Sequence, residues 1–180
     1  MANLYLGRQK SALNKAFIET MTKLSVFPSE PITADSENYF YRTNGTKDFL
    51  AYEGDVAYLG SYEYSYKVLD KDDTVSIANT NMWIKFKDPI AIKTFSVKIG
   101  NIDWRVYATD DEEAFTSVVN TNNGTLSSFT TITTLIDNGE KCGEEMTDFP
   151  VNSEGVAYRY YIFAARKSSA NVYEIALKTE

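Results

Sequence analysis

Thr94-Phe95-Ser96-Val97-Lys98-Ile99 alternates polar with apolar side chains at every step, and Asp103-Trp104-Arg105-Val106-Tyr107-Ala108 resumes the pattern after a Gly100-Asn101 turn. An extended chain points successive side chains to opposite faces, so a period of two means one buried face and one wet face. Phe95, Val97 and Ile99 form one apolar row; Trp104, Val106 and Ala108 form another, with Arg105 and Tyr107 across from them. Outward from this pair, Met82-Trp83-Ile84-Lys85-Phe86, residues 158–164 and residues 172–178 read as further strands, the last alternating Tyr173, Ile175 and Leu177 with Glu174, Ala176 and Lys178. Trp83 and Trp104, inside strands, are expected in the core. Between strands stand Lys87-Asp88-Pro89, Asp110-Asp111, Asn122-Asn123-Gly124, Asp137-Asn138-Gly139 and Lys167-Ser168-Ser169, all turn-forming combinations. Short strands without helical segments between them predict an all-β fold, an antiparallel jelly-roll β-sandwich over residues 32–180. The acidic stretch 139–155 reads as a long loop. With 13 Tyr and 10 Phe in 180 residues, the composition suits pleated, half-buried surfaces and one core.

Residues 1–31 differ. Leu13, Ala16, Phe17, Thr20, Met21 and Leu24 recur at three- and four-residue spacing, which predicts a short N-terminal helix over residues 11–25 with Ser11 as its cap. Phe27-Pro28-Ser29-Glu30-Pro31 ends it, because proline breaks the helical hydrogen-bond ladder. Residues 1–29 carry Arg8, Lys10, Lys15 and Lys23 against Glu19, a balance of +3, while the remainder, with 14 basic and 24 acidic groups, carries −10. The two parts therefore face different partners. The apolar stripe of Leu13, Phe17, Met21 and Leu24 either packs on the sandwich or attaches the chain to a larger assembly.

Chemistry is conspicuously thin. The chain has no histidine, so the commonest general base and metal ligand is missing and no Ser-His or Cys-His pair can form. A lone Cys142 gives neither an internal disulfide nor a zinc site. The glycines stand singly, in no phosphate-cradling spacing. A net charge of −7 opposes nucleic-acid and anionic-membrane binding. The opening residues predict no conventional signal peptide, and no apolar run reaches the length of a membrane span. No catalytic residue is assigned, and Asp110-Asp111-Glu112-Glu113 reads as a solvated acidic hairpin turn. Asp70, Asp72 and Asp73 are candidate hard-oxygen ligands for calcium. An EF-hand is excluded, because Val75 stands where that loop needs glycine. Asn44-Gly45-Thr46 and Asn123-Gly124-Thr125 match a glycosylation acceptor pattern but read as turns.

The segment 52–66 is rich in tyrosine. A Tyr ring offers a flat apolar face to a sugar and a hydroxyl to its polar groups, at low entropic cost. Tyr58, Tyr62, Tyr64 and Tyr66 are the candidate ligand contacts. The spacing of Tyr62, Tyr64 and Tyr66 would also put three rings on one face of a strand, as core.

The order of segments from residue 82 onward is similar to that of the discoidin-like, galactose-binding-like domains of coagulation factors and carbohydrate-binding modules. Trp83-Ile84-Lys85-Phe86, Asp88-Pro89-Ile90 and Ile92-Lys93-Thr94-Phe95 resemble that family's strand, turn and returning strand. Residues 104–111 with Phe115-Thr116-Ser117-Val118 resemble its next hairpin, and Tyr158-Arg159-Tyr160-Tyr161-Ile162 with Val172-Tyr173-Glu174-Ile175 its closing pair. The resemblance implies a non-enzymatic module that binds a carbohydrate or cell surface, with calcium a common companion. Met1-Ala2-Asn3-Leu4-Tyr5-Leu6-Gly7 resembles the short starts of tailed-phage accessory and fibre proteins. That likeness implies display on a virion, made in the host cytoplasm, attached to virion proteins through residues 1–30 and oligomeric in the particle. The alternative is a purely structural capsid or tail protein that binds neighbouring subunits and no glycan.

Overall fold

The structure, a computed structural model, describes residues 30–41, 55–78, 80–100, 103–121, 130–140, 142–151, 154–165 and 171–179. The expected N-terminal helix, with Leu13, Phe17, Met21 and Leu24, lies outside the described residues. So do the two glycosylation-type turns.

Among the described residues ten strands build two facing sheets. They are β1 (Tyr39–Tyr41), β2 (Val56–Gly60), β3 (Ile77–Ala78), β4 (Asn81–Ile90), β5 (Thr94–Ile99), β6 (Trp104–Thr109), β7 (Thr133–Gly139), β8 (Cys142–Pro150), β9 (Tyr158–Ala165) and β10 (Asn171–Lys178). The larger sheet has the order β1-β2-β4-β9-β6-β7 and the smaller β3-β10-β5-β8. Every pairing is antiparallel except that of β1 with β2, which is parallel, with Tyr39 opposite Tyr58. The sandwich predicted from the alternation is therefore present.

Phe95, Val97 and Ile99 on β5, with Ile175 and Leu177 on β10, face Met82, Ile84, Trp104, Val106, Tyr161 and Phe163 of the larger sheet in one continuous core. Phe95 stacks on Phe163 across the gap, ring centroids 5.6 Å apart, and Trp104 meets Phe149 edge-on at 5.0 Å. Buried aromatic contacts of this kind each add roughly 0.5–1.5 kcal/mol beyond the area they remove from water. The Trp104 indole N–H donates to the Glu140 carbonyl at 2.7 Å, so the ring buries without an orphaned donor. Gly139 is required beside it, since a Cβ there would lie 2.0 Å from the indole.

Several expectations are corrected. Phe115-Thr116-Ser117-Val118 is not a hairpin strand but part of helix α1 (Glu112–Thr121). Asp111 caps it by accepting the Ala114 N–H at 3.0 Å, and Glu112 and Glu113 suit the positive end of the helix. The acidic run is thus a helix start, and Asp110 accepts the Arg159 N–H at 2.7 Å. Ala114, Phe115, Val118 and Val119 then bury on the outer face of the larger sheet against Trp83, Tyr107, Tyr160 and Ile162. With both faces covered, β9 is apolar almost throughout and Met82, Trp83 and Ile84 of β4 are buried in succession, where simple alternation was expected.

Residues 139–155 are not one long loop: β8 occupies most of them, paired along β5 from Thr94↔Pro150 to Ile99↔Cys142. Asp148 is accommodated on the outer side, where the Ser96 hydroxyl and the Lys178 ammonium both donate to it, the latter at 2.8 Å. Asp88-Pro89 lies within β4 rather than ending it, whereas Asp137-Asn138-Gly139 closes β7 just before β8 begins. On β10 an irregularity between Val172 and Glu174 shifts the register, so Val172, Ile175 and Leu177 face the core while Tyr173 does not.

Candidate functional site

Strand directions define the two ends of the sandwich. The pairs Gly60↔Met82, Trp104↔Gly139, Ile99↔Cys142 and Asn171↔Ala78 all lie at one end, and the tyrosine-rich turn leaves β2 there. Residues 62, 64 and 66 do not lie on a strand, as alternation would have it. Tyr64 and Tyr66 belong to a 3₁₀ helix, Glu63–Val68, and Tyr62 caps its start after a turn at Ser61. A 3₁₀ helix has three residues per turn, so side chains two apart diverge and the tyrosines separate.

Each tyrosine has a different environment. Tyr58 is 1% exposed and belongs to the sandwich core, with burial pushing its phenol pKa up. It cannot reach a ligand, which corrects its assignment as a contact. Tyr66 packs on the core with its ring edge-on to Tyr39 at 5.7 Å. Tyr62 is half-buried and its hydroxyl donates to the Ala78 carbonyl at 2.6 Å. Tyr64 is 53% exposed, and a hydrogen bond with the neighbouring Glu63 carboxylate holds its phenol pKa above the usual value. Of the four sequence candidates, Tyr64 alone presents most of its ring to solvent. Tyr41, 41% exposed at the end of β1 opposite Gly60, is a ring at the same end of the sandwich that the sequence reading did not single out. Its signal was an aromatic at the last position of a short edge strand.

The turn at residues 70–75 lies over the outer face of the smaller sheet. Here the structure adds a residue that sequence reasoning missed. Glu174 on β10 is 5% exposed; its Oε2 accepts the Lys71 N–H at 3.1 Å, and its Oε1 has no partner. Lys71 takes a left-handed φ of 63° as it makes that bond. Burial, and then the proximity of Asp70, raise the Glu174 pKa to about 9. Asp70 accepts the Asp72 N–H at 2.9 Å, Asp72 accepts the Thr74 N–H at 3.0 Å, and Asp73 is paired with Lys98 at 3.2 Å. Asp72 and Asp73 are therefore engaged locally, whereas Asp70 and Glu174 crowd two carboxylates together. Among the described residues no group of three or more acidic or thiol side chains surrounds a common point. The pair still fits a hard oxygen-seeking cation in chemical kind, because one buried Glu174 oxygen has no hydrogen-bond partner. The signal in the sequence was an acid set among apolar residues on a strand.

No further acid-base constellation stands out. Trp83 and Trp104 are core residues, as expected. Cys142 is half-buried with its thiol against the Val97 carbonyl, and burial pushes its pKa up, the opposite of an activated nucleophile. No helix among the described residues is long and apolar enough to cross a membrane.

Among solved structures the chain is similar to CpGH89CBM32-6 of Clostridium perfringens, with TM-score 0.52 and 9% identity over 71% of this chain and 96% of that one. The two chains share a fold. That fold agrees with the galactose-binding-like β-sandwich expected from the order of strands. Two further similar structures are CpGH89CBM32-5 of Clostridium perfringens, in complex with GalNAc-β-1,3-galactose (TM-score 0.46, 9% identity, 69% of this chain and 96% of that), and the family 32 carbohydrate-binding module of Streptococcus pneumoniae EndoD (TM-score 0.43, 10% identity, 73% and 91%). No protein-family model matches the sequence, and no curated protein does.

Proposed function

We propose that this chain is a non-enzymatic carbohydrate-binding module that meets its glycan at the Gly60 end of the sandwich, with the Tyr64 ring as the principal stacking face and Tyr41 beside it at that end. The exposed ring of Tyr64, on a turn anchored to an otherwise buried aromatic cluster, carries the reading. Solvent-facing aromatics on a rigid base suit sugar C–H faces, since little freedom is lost on binding. The sandwich shared with CpGH89CBM32-6 supports the class, and the lack of histidine agrees with recognition rather than turnover.

On the same reading, Asp70 and Glu174 hold a calcium ion that fastens the 70–75 turn to β10. The ion adds positive charge where the two adjacent carboxylates crowd each other. Residues 1–31 form an arm that attaches the module to a larger particle such as a virion, where copies gather. The opposite charge balance of residues 1–29 and the remainder supports that division.

A glycan array probed with the full chain and with Tyr64→Ala tests the central claim. Saturable binding by the wild type that is lost in the variant is expected. Wild-type binding that survives Tyr64→Ala, or none at all, overturns it; the second result would favour the structural role in an assembly.

A further inference from the structure

The turn that carries Tyr64 is held from beneath by a knot of buried oxygens. Ser65, the residue after Tyr64, is fully buried, as is Thr80 just ahead of β4. The Ser65 hydroxyl accepts the Thr80 hydroxyl at 2.7 Å and the Tyr62 N–H at 3.2 Å, and lies 3.4 Å from the Ser61 hydroxyl. Ser61 in turn accepts the Asn81 N–H at 3.1 Å. From the other side, the Tyr39 hydroxyl of β1 donates to the carbonyls of Tyr62 at 2.9 Å and Glu63 at 3.2 Å. Three separate pieces of chain, β1, the start of β4 and the turn, thus converge on residues 61–65.

Gly60 makes room for this arrangement. A Cβ at that position would come within 2.4 Å of the Ser65 Cβ and 2.6 Å of the Tyr39 hydroxyl. The requirement there is for space. A 3₁₀ helix this short has poor hydrogen-bond geometry of its own, so its shape has to be imposed from outside. A buried network in which each member is partnered does that, and it becomes costly when one member is removed.

We infer that Ser65 is the positioning residue of the site: its hydroxyl, seated over Gly60 and bonded to Thr80, fixes the turn so that the Tyr64 ring is presented outward before any ligand arrives. The inference rests on the reading of Tyr64 as a glycan contact. Ser65 itself touches no ligand; it acts by sparing the ring the entropy of being ordered on binding.

Hydrogen exchange of the amides in residues 61–68, measured without ligand, tests the lock separately from the binding role. Ser65→Ala leaves the Thr80 hydroxyl and the Tyr62 N–H without their acceptor, so exchange across the turn is expected to speed by about five- to tenfold while β5 and β9 keep their protection. Thr80→Val, which keeps the shape and removes the donor, should act in the same direction and guards against a Ser65 variant that fails to fold. Apparent affinity on the glycan array should fall by a similar factor in both variants. Unchanged exchange in both variants overturns the lock whatever the array shows. Faster exchange with unaltered affinity, where Tyr64→Ala abolishes binding, overturns the positioning role alone. Binding that survives Tyr64→Ala removes the glycan reading and the positioning role with it, and the exchange data then report only a structural knot.

Discussion

The ring of Phe115 lies over that of Tyr160, centroids 4.5 Å apart and planes 23° from parallel. This contact joins α1 to the outer face of the larger sheet and explains why β9 carries apolar side chains in both directions. Phe115→Ala is therefore expected to cost about 3–5 kcal/mol, the range for a large ring removed from a packed interior. Urea unfolding monitored by circular dichroism measures it. A loss well below about 1 kcal/mol would show that the helix is a dispensable cover.

Gly139 offers a sharper probe of the core. A methyl group there meets the Trp104 indole at 2.0 Å, so the backbone of β7 or the ring must move. Gly139→Ala should destabilise by about 1–3 kcal/mol or more and alter the near-ultraviolet signal of Trp104. An unchanged melting temperature and aromatic spectrum would mean that β7 and β6 are not so closely apposed.

The tyrosines should separate cleanly under substitution. Tyr58→Ala, in the core, is expected to lose about 3–5 kcal/mol of stability, whereas Tyr64→Ala should leave the melting temperature where it is. Thermal unfolding of the two variants side by side checks this. A large drop for Tyr64→Ala would make that residue a structural element and remove it from the binding surface.

Glu174 links stability to pH in the cation-free protein. Its folded-state pKa of about 9 lies above the ordinary 4.5, because burial and then Asp70 disfavour the charged form. The associated stability is fully present below pH 4.5 and is lost progressively as pH rises towards 9, since the unfolded chain ionises first. Glu174→Gln should remove this decline, so that in chelator the variant gains on the wild type steadily from about pH 5 to 9. Added calcium should close most of that gap at neutral pH, stabilising the wild type by about 2.7 kcal/mol at a hundredfold excess over its dissociation constant and leaving the variant unmoved. Parallel pH profiles for the two proteins would count against a strained carboxylate, and an equal calcium response would move the ion elsewhere.

The sequence alone was enough to establish the β-body, the core rows of Phe95, Val97 and Ile99 and of Trp104, Val106 and Ala108, and the burial of both tryptophans. Period-two alternation reflects which side of an extended chain meets water, and it is written into neighbouring residues. The tertiary structure decided what depends on partners distant in the chain. Residues 115–118 are helical because the outer face of β9 needs covering, although Thr116 and Val118 suit a strand equally well. Asp148 lies on a strand because β5 provides the pairing and Ser96 and Lys178 the counter-groups. Tyr58 and Tyr64 look alike in sequence, yet one is sealed between sheets and the other stands in water. The Glu174 carboxylate receives its bond from Lys71 across 103 residues. Local pattern says which face is dry, but which dry face meets which neighbour is settled only when the two sheets close.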